Sequence, residues 1–222
     1  MSGSPIRVGL VDDQVLFRAG IRMLVSSQSD LQFVGEAGDG LDGVAMVASA
    51  HPDVVLMDIR MPVMDGIAST QAIFASATRR SVTAPRVIVL TTFDLDEAAA
   101  RAIRAGASGF VLKDADPEFL LAAIRTVHSG SAVIAAGATR ALFEHFASNA
   151  PVPVPASFSG LTAREHEIFA LAARGLSNGE IAAGEFLSEA TVKTHISRIL
   201  AKLRLRDRVQ LVVYAFEHGL VR

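Results

Sequence analysis

The chain has 222 residues, of which half are hydrophobic and a fifth are charged, and its formal net charge is −2. This composition is ordinary for a globular protein, and the length suits two small domains. The absence of cysteine excludes a disulfide scaffold, a thiolate metal site and a cysteine nucleophile. The N-terminus lacks the apolar core of a signal peptide, and no stretch approaches a membrane-spanning length. The sequence therefore predicts a cytoplasmic protein without a membrane partner.

Five short apolar runs alternate with stretches of helical spacing in the first part of the chain. The runs are residues 6–11, 31–37, 53–58, 86–90 and 109–112. They are rich in Val, Ile and Leu without polar alternation, which is typical of strands buried on both faces of a sheet. With a last helix near Pro117–His128, these βα units predict a doubly wound α/β domain with a five-stranded parallel sheet.

Polar side chains stand at the carboxyl ends of four of these runs. Asp12 and Asp13 follow the first run, Asp58 ends the third, Thr91 follows the fourth and Lys113 follows the fifth. Each residue alone is more typical of a turn, a strand or a solvated surface, but the ends of parallel strands meet at one edge of the sheet, where ligands bind. Clustered carboxylates require a cation, and hard oxygen ligands suit Mg²⁺. A carboxylate held against Mg²⁺ can accept a phosphoryl group.

One segment has the glycine spacing of a dinucleotide-binding turn. Residues 38–43 fit G-x-G-x-x-G after a predicted strand,. Asp39 and Asp42 would place negative charge where a pyrophosphate binds, and the segment follows the second strand, which lies at the edge in flavodoxin-like order. We interpret it as a turn and a helix start.

The strand-end residues lie in segments that resemble the signatures of CheY-like receiver domains. The segments are VDDQ at 11–14, LMDIRMP at 56–62, DG at 65–66, LTT at 90–92 and GASGFVLK at 106–113. The resemblance covers nearly all of residues 5–130 and implies a flavodoxin-like (βα)5 receiver. It further implies that Asp58 is the phospho-acceptor and that Asp13 binds Mg²⁺ directly. Asp12 would help through water, and the backbone carbonyl of Arg60 would be a further ligand.

The same resemblance implies a conformational switch. Thr91 and Phe110 correspond to the family's hydroxyl and aromatic switch pair, and Lys113 corresponds to its lysine. The aromatic residue here is Phe where many receivers have Tyr, so the ring carries no phenolic hydroxyl.

A proline-rich segment separates the receiver from the rest of the chain. Residues 151–155 alternate proline with valine, which favours an extended, semi-rigid linker, and residues 137–148 have helical character. We predict a receiver domain at 1–130, a linker at 131–156 with a helix before its proline-rich part, and a separate all-α domain of four helices at 157–222.

Helix boundaries in this last region carry clear local signals. Residues 162–165 and 177–180 match the capping box. Ser188 and Asp207 are N-cap candidates, and Gly175 and Gly219 stand where C-terminal caps belong,. A short helix is predicted at 177–183, with a break near Gly184 that separates it from the helix after Ser188.

The helix that follows Ser188 has two distinct faces. An apolar stripe steps by four, three and four residues: Val192, Ile196, Ile199 and Leu203,. The opposite side carries Lys193, Thr194, Ser197 and Arg198. Residues 1–130 hold 15 acidic against 11 basic side chains, whereas residues 157–222 hold 7 against 9. A locally basic helix with a donor-rich outer face favours a nucleic-acid partner for this domain, although such helices are often only solvated.

Several segments of this domain are similar to the LuxR-type helix-turn-helix. They are LTARE at 161–165, GLSN at 175–178, EIA at 180–182 and SEATVKTH at 188–195. With the receiver in front, the chain resembles the NarL/FixJ subfamily of response regulators. The resemblance implies base contacts from Lys193 and Thr194, with Ser197 beside them, and phosphate contacts from Arg198 and Lys202. Residues 184–185, Gly-Glu, depart from the pattern, which usually has a larger apolar residue near the acid.

The sequence as a whole predicts a phosphorylation-controlled, sequence-specific transcription regulator. A sensor histidine kinase would phosphorylate Asp58, double-stranded DNA would be the target, and a homodimer would form on phosphorylation or DNA binding. The chain would not be an enzyme beyond its own phosphorylation and dephosphorylation. Two alternatives stay open: a DNA-binding regulator independent of phosphorylation, and a Mg²⁺-dependent phosphohydrolase with Asp58 as nucleophile.

Overall fold

The computed structural model describes residues 4–91, 97–130, 133–134 and 153–220. The chain forms two compact units, Met1–Ala141 and Leu142–Arg222. The domain boundaries proposed from the sequence stay a prediction, and the helix expected at 137–148 lies outside the described residues. Within the described ranges, no helix is both long enough and apolar enough to cross a membrane.

The first unit is a parallel sheet flanked by helices. Its strands are β1 (Ile6–Val11), β2 (Leu31–Ala37), β3 (Val54–Asp58), β4 (Arg86–Thr91), β5 (Gly109–Leu112) and β6 (Val133–Ile134). Its helices are α1 (Val15–Ser26), α2 (Gly40–Ala50), α3 (Gly66–Arg80), α4 (Glu97–Ala105) and α5 (Pro117–His128). The strand order is β2-β1-β3-β4-β5-β6, with every pair parallel. This confirms the flavodoxin-like class and the five predicted strands, to within one residue at their ends.

Two features of the sheet differ from the sequence prediction. The two-residue β6 extends the sheet to six strands, pairs with β5, and lies inside the segment predicted as linker. Burial on both faces holds for the central β3 but is wrong for β2, in which only Leu31 and Ala37 are buried. β2 lies at one edge of the sheet, so it has a neighbouring strand on one side only.

Two glycines permit close backbone approach at the carboxyl edge of the sheet. A Cβ at Gly66 would lie 1.8 Å from the Asp58 carbonyl oxygen, and a Cβ at Gly40 would lie 2.5 Å from the Met64 carbonyl oxygen. Both glycines donate a backbone hydrogen bond there, from Gly66 to Ile59 at 2.9 Å and from Gly40 to Met64 at 3.1 Å. The starts of α2 and α3 are thereby fixed against the loop that follows Asp58.

The segment 38–43 is a helix start, as interpreted from the sequence. The Asp39 carboxylate accepts hydrogen bonds from the Leu41 and Asp42 backbone N–H groups at 2.8 and 2.9 Å and caps α2. A Cβ at Gly43 would lie 2.9 Å from Val11. The glycine spacing therefore serves helix packing.

The second unit consists of short helices around one apolar core. A 3₁₀ turn (Ala156–Gly160) precedes α6 (Ala163–Ala173), α7 (Asn178–Glu185), α8 (Glu189–Leu203) and α9 (Arg208–Glu217). The two predicted capping boxes, the N-caps Ser188 and Asp207, and the left-handed Gly175 and Gly219 are confirmed. The predicted break near Gly184 is wrong by two residues, since α7 runs through Glu185 and Phe186 takes the left-handed capping conformation.

The apolar stripe of α8 forms much of this core. Its four residues are all buried, and they belong to one cluster with Ile168 and Phe169 of α6 and Tyr214 of α9. With this face turned inward, the opposite face of α8 is left to solvent.

Glu165 joins the start of α6 to the end of α8. Its carboxylate accepts hydrogen bonds from the Thr162 backbone N–H and the Lys202 ammonium, both at 2.7 Å. These donors hold the pKa of Glu165 at about 2, against an ordinary value of 4.5, with the Lys202 hydrogen bond as the largest cause. The Glu165 side chain is 5 % exposed.

The Gly66 contact predicts a large loss of stability on addition of one methyl group. Gly66→Ala should destabilise the first unit by about 3 kcal/mol or more, because the backbone of Asp58 must move. Gly20→Ala is the matched control. Gly20 is exposed in α1 with nothing within 4 Å of an added Cβ, so alanine should stabilise by roughly 0.5–1 kcal/mol.

Urea unfolding followed by circular dichroism measures both variants. Tyr214 is the single tyrosine in a chain without tryptophan, so its fluorescence identifies the transition of the second unit and separates it from that of the first unit. Equal stability of the first unit in Gly66→Ala and Gly20→Ala would contradict the close approach.

The lowered pKa of Glu165 predicts a specific pH dependence for the second unit. A carboxyl whose pKa falls on folding stabilises the folded state above its unfolded pKa, and this stabilisation is lost as pH falls through the folded value. Glu165→Gln should therefore unfold at lower urea than the parent chain at pH 7, by Tyr214 fluorescence. The difference should shrink between pH 4.5 and about pH 2. A difference of equal size at both ends of that range would refute the assignment.

Candidate functional site

The structure brings the three predicted acidic residues together at the carboxyl edge of the sheet. One carboxylate oxygen from each of Asp12, Asp13 and Asp58 lies within 4.8 Å of the others. Neighbouring strands β1 and β3 place them, since Val11 pairs with Met57 and the acids follow directly. Asp12 is fully buried and Asp58 is 5 % exposed, whereas Asp13 is exposed. We call these three residues the acidic cluster.

Lys113 inserts its ammonium between the two buried carboxylates. Its Nζ lies 2.7 Å from Asp12 Oδ2 and 2.8 Å from Asp58 Oδ2, and 4.9 Å from the centre of the Phe17 ring. The Lys113 backbone N–H donates to the Thr91 carbonyl at 2.7 Å, which fixes the residue at the ends of β4 and β5. Burial disfavours the ammonium, but the hydrogen bonds to Asp12 and Asp58 outweigh burial and raise the pKa of Lys113. Lys113 therefore stays charged and balances part of the acidic cluster.

Asp12 is held by contacts on both its side chain and its backbone. Burial raises its pKa, against the lowering effect of hydrogen bonds from Lys113 and from the Gln14 backbone N–H, which lies 2.9 Å from Oδ1. Arg18, in the first turn of α1, donates from Nη1 to the Asp12 carbonyl at 2.6 Å. The sequence reasoning missed Arg18. Its position one helical turn beyond the acidic pair was the available signal, because a side chain there can reach back to the preceding loop.

The remaining predicted site residues lie in, or directly after, the neighbouring strands β3, β4 and β5. The Arg60 backbone N–H lies 3.4 Å from Asp58 Oδ1. Thr91 is the last residue of β4 and is half-buried. It follows Leu90, which pairs with Asp58 of β3. Phe110 lies in β5, one strand further, with its ring fully buried.

The acidic cluster fits a small divalent cation. Three carboxylates face one ammonium, and this excess of negative charge favours cation binding. The exposed Asp13 offers oxygen ligands beside the buried pair, and hard oxygen donors of this kind bind Mg²⁺ or Ca²⁺.

Four of the five predicted DNA-contacting residues share the exposed face of α8. Lys193, Thr194, Ser197 and Arg198 are exposed, and with Ala190 and Ala201 they line one shallow hollow. The fifth residue, Lys202, lies outside this hollow. Its ammonium contacts the Glu165 carboxylate at 2.7 Å and the Gly160 carbonyl at 3.2 Å. We call the six residues of the hollow the α8 outer face.

The unusual acid at position 185 has an ion-pair partner within the domain. Arg164 of α6 forms an ion pair with the Glu185 carboxylate and donates a second hydrogen bond to the Glu185 carbonyl at 3.2 Å. Arg164 also pairs with Glu167 at 2.6 Å, so its single charge is shared between two carboxylates and offsets the charge of Glu185 only in part.

Two family models match the two units of the chain. The response regulator receiver domain matches residues 8–125, and the luxR family of bacterial regulatory proteins matches residues 159–215. Similar curated proteins span the whole chain. The transcriptional regulatory protein YxjL of Bacillus subtilis is 40 % identical over all of both chains. The response regulator protein VraR of Staphylococcus aureus is 36 % identical over 98 % of this chain and 99 % of its own.

Solved structures agree in fold. The response regulator ChrA, from a heme-sensing two-component system, is 35 % identical with a TM-score of 0.53, and the match covers 98 % of this chain and all of ChrA. These matches cover both the receiver and the helix-turn-helix. The chain therefore belongs to the two-component response regulators that join a receiver domain to a LuxR-type DNA-binding domain and regulate transcription.

Proposed function

We propose that a sensor histidine kinase phosphorylates Asp58 and that this phosphorylation controls sequence-specific DNA binding by α8. The observation that carries the proposal is the acidic cluster with Lys113 at its centre. A structural role alone does not require two buried carboxylates and an ammonium at one edge of a sheet, because burying charge is costly. Perturbed ionisable groups cluster in this way at functional sites.

Asp58 is the nucleophile in the proposed reaction. A carboxylate oxygen of Asp58 attacks phosphorus, the phosphorus–nitrogen bond of the donor phosphohistidine breaks, and an aspartyl phosphate forms. Asp12, Asp13, Asp58 and the Arg60 carbonyl would hold Mg²⁺, which neutralises charge on the transferring oxygens. Lys113, already paired with Asp58, would then pair with a phosphoryl oxygen, and the Thr91 hydroxyl would donate a hydrogen bond to another.

Thr91 and Phe110 would transmit the phosphorylation state. The Phe110 ring is fully buried in this structure. Phosphorylation would draw the Thr91 hydroxyl toward the phosphoryl group and change the position of the ring, as a shift between existing states. The output would be a homodimer on DNA.

The α8 outer face would enter the major groove of double-stranded DNA. Lys193, Thr194 and Ser197 would face base edges, and Arg198 would contact a phosphate, as helix-turn-helix proteins do. A phosphate contact by Lys202 would compete with its ion pair to Glu165. We therefore assign phosphate binding first to Arg198.

Phosphorylation chemistry tests the proposal directly. Incubation with acetyl phosphate and Mg²⁺ should add one phosphoryl group to the chain, measured by intact mass. EDTA should abolish the label, because the cation offsets charge on the transferring oxygens. Asp58→Asn should also abolish it.

Asp42→Asn is the control. This substitution should leave labelling intact, because Asp42 is an exposed acid in the first turn of α2. Labelling that survives Asp58→Asn or persists in EDTA would rule out Asp58 as the Mg²⁺-dependent acceptor.

A further inference from the structure

We propose that Thr194 and Ser197 recognise the exocyclic amino groups of adenine or cytosine, and do so as hydrogen-bond acceptors. The inference rests on the proposed function of the α8 outer face and specifies which bases that face selects. It concerns two residues whose hydroxyls would otherwise contact any base as donor or acceptor.

Both hydroxyls have already used their single proton. Thr194 Oγ1 donates to the Ala190 carbonyl at 2.9 Å, and Ser197 Oγ donates to the Lys193 carbonyl at 3.0 Å. A hydroxyl has one proton and two lone pairs, so each side chain presents only acceptor capacity to a partner outside the helix. Donation to a base would first require the hydroxyl to leave its helix carbonyl.

The charged side chains around these two acceptor hydroxyls are hydrogen-bond donors. Lys193 and Arg198 flank them on the same face, and their cationic groups are donors without acceptor capacity. Ala190 and Ala201, each four residues from one of the hydroxyl-bearing residues, contribute no polar group, and their small size permits close approach to a base edge. The α8 outer face is therefore an acceptor strip flanked by donors.

This arrangement predicts a pattern of bases in the major groove. Adenine N6 and cytosine N4 are the donors there, whereas guanine and thymine present carbonyl acceptors. The acceptor strip should face adenine or cytosine, and Lys193 should face the acceptors of a guanine. A site with guanine or thymine opposite Thr194 or Ser197 would bring two acceptors together.

The test begins with an operator selected from randomised duplex DNA by the full-length chain. Binding of the parent chain, Thr194→Val and Ser197→Ala is then measured against all four bases at every operator position. Each variant should lower the preference for adenine or cytosine at one position by roughly three- to tenfold, the effect of one lost hydrogen bond. Replacing that base by its analogue without the amino group should weaken the parent chain by a similar factor and leave the variant unaffected.

Thr78→Val is the matched control. Thr78 in α3 donates to the Phe74 carbonyl at 3.0 Å in the same geometry but lies in the receiver, so base preference should not change. Every base pair presents one amino group in the major groove, so the analogue decides the question. Binding by the parent chain that the analogue does not weaken, or an unchanged profile in both variants, overturns the inference while DNA binding stands. Failure of the parent chain to select any sequence would instead overturn the proposed function.

Discussion

The ammonium of Lys113 between the Asp12 and Asp58 carboxylates is the interaction on which the receiver site depends. Both acids are buried, and an uncompensated buried charge costs several kcal/mol. One ammonium at 2.7 and 2.8 Å offsets part of this charge and holds the two carboxylates close together. It leaves negative charge in excess, and this excess favours a cation, which the proposed phosphoryl transfer would need. Structural stability and chemistry thus rest on the same three side chains.

The backbone keeps this interaction in place. Parallel pairing of β1 with β3 and of β4 with β5 brings four strand ends to one edge, and Gly66 allows the loop after Asp58 to fold back on it. The second unit uses comparable chemistry for another purpose. There Lys202 and Glu165 tie two helices together, which positions α8 and leaves its outer face exposed.

The sequence predicted those features that depend on local pattern. The five strands, the helix caps and the acidic cluster follow from periodicity, capping residues and positions at strand ends, whereas the strand order was implied by the resemblance to receiver domains. The sequence did not predict contacts between side chains that lie far apart along the chain. The pairing of Arg164 with Glu185 and of Lys202 with Glu165 depends on how α6 packs against α7 and α8. A basic residue on a helix looks the same in sequence whether it contacts DNA or a neighbouring carboxylate.

Short strands and the ends of helices were also poorly predicted from the sequence pattern. The two-residue β6 is too short to carry a period, and it gains its hydrogen bonds from β5. α7 ends at Glu185, and Phe186 takes the left-handed conformation, although Gly184 is the residue with the greater freedom for a left-handed turn,. In both places the structure follows from tertiary contacts that the local sequence does not specify.

Magnesium binding to the full-length chain tests the central claim most directly. Calorimetric titration should show one Mg²⁺ site in the parent chain. Lys113→Met should bind Mg²⁺ on the order of tenfold more tightly, because it removes the cation that now competes for Asp12 and Asp58. Lys202→Met, which removes the same charge from the other unit, should bind as the parent chain does. An unchanged or weaker affinity in Lys113→Met would contradict the account.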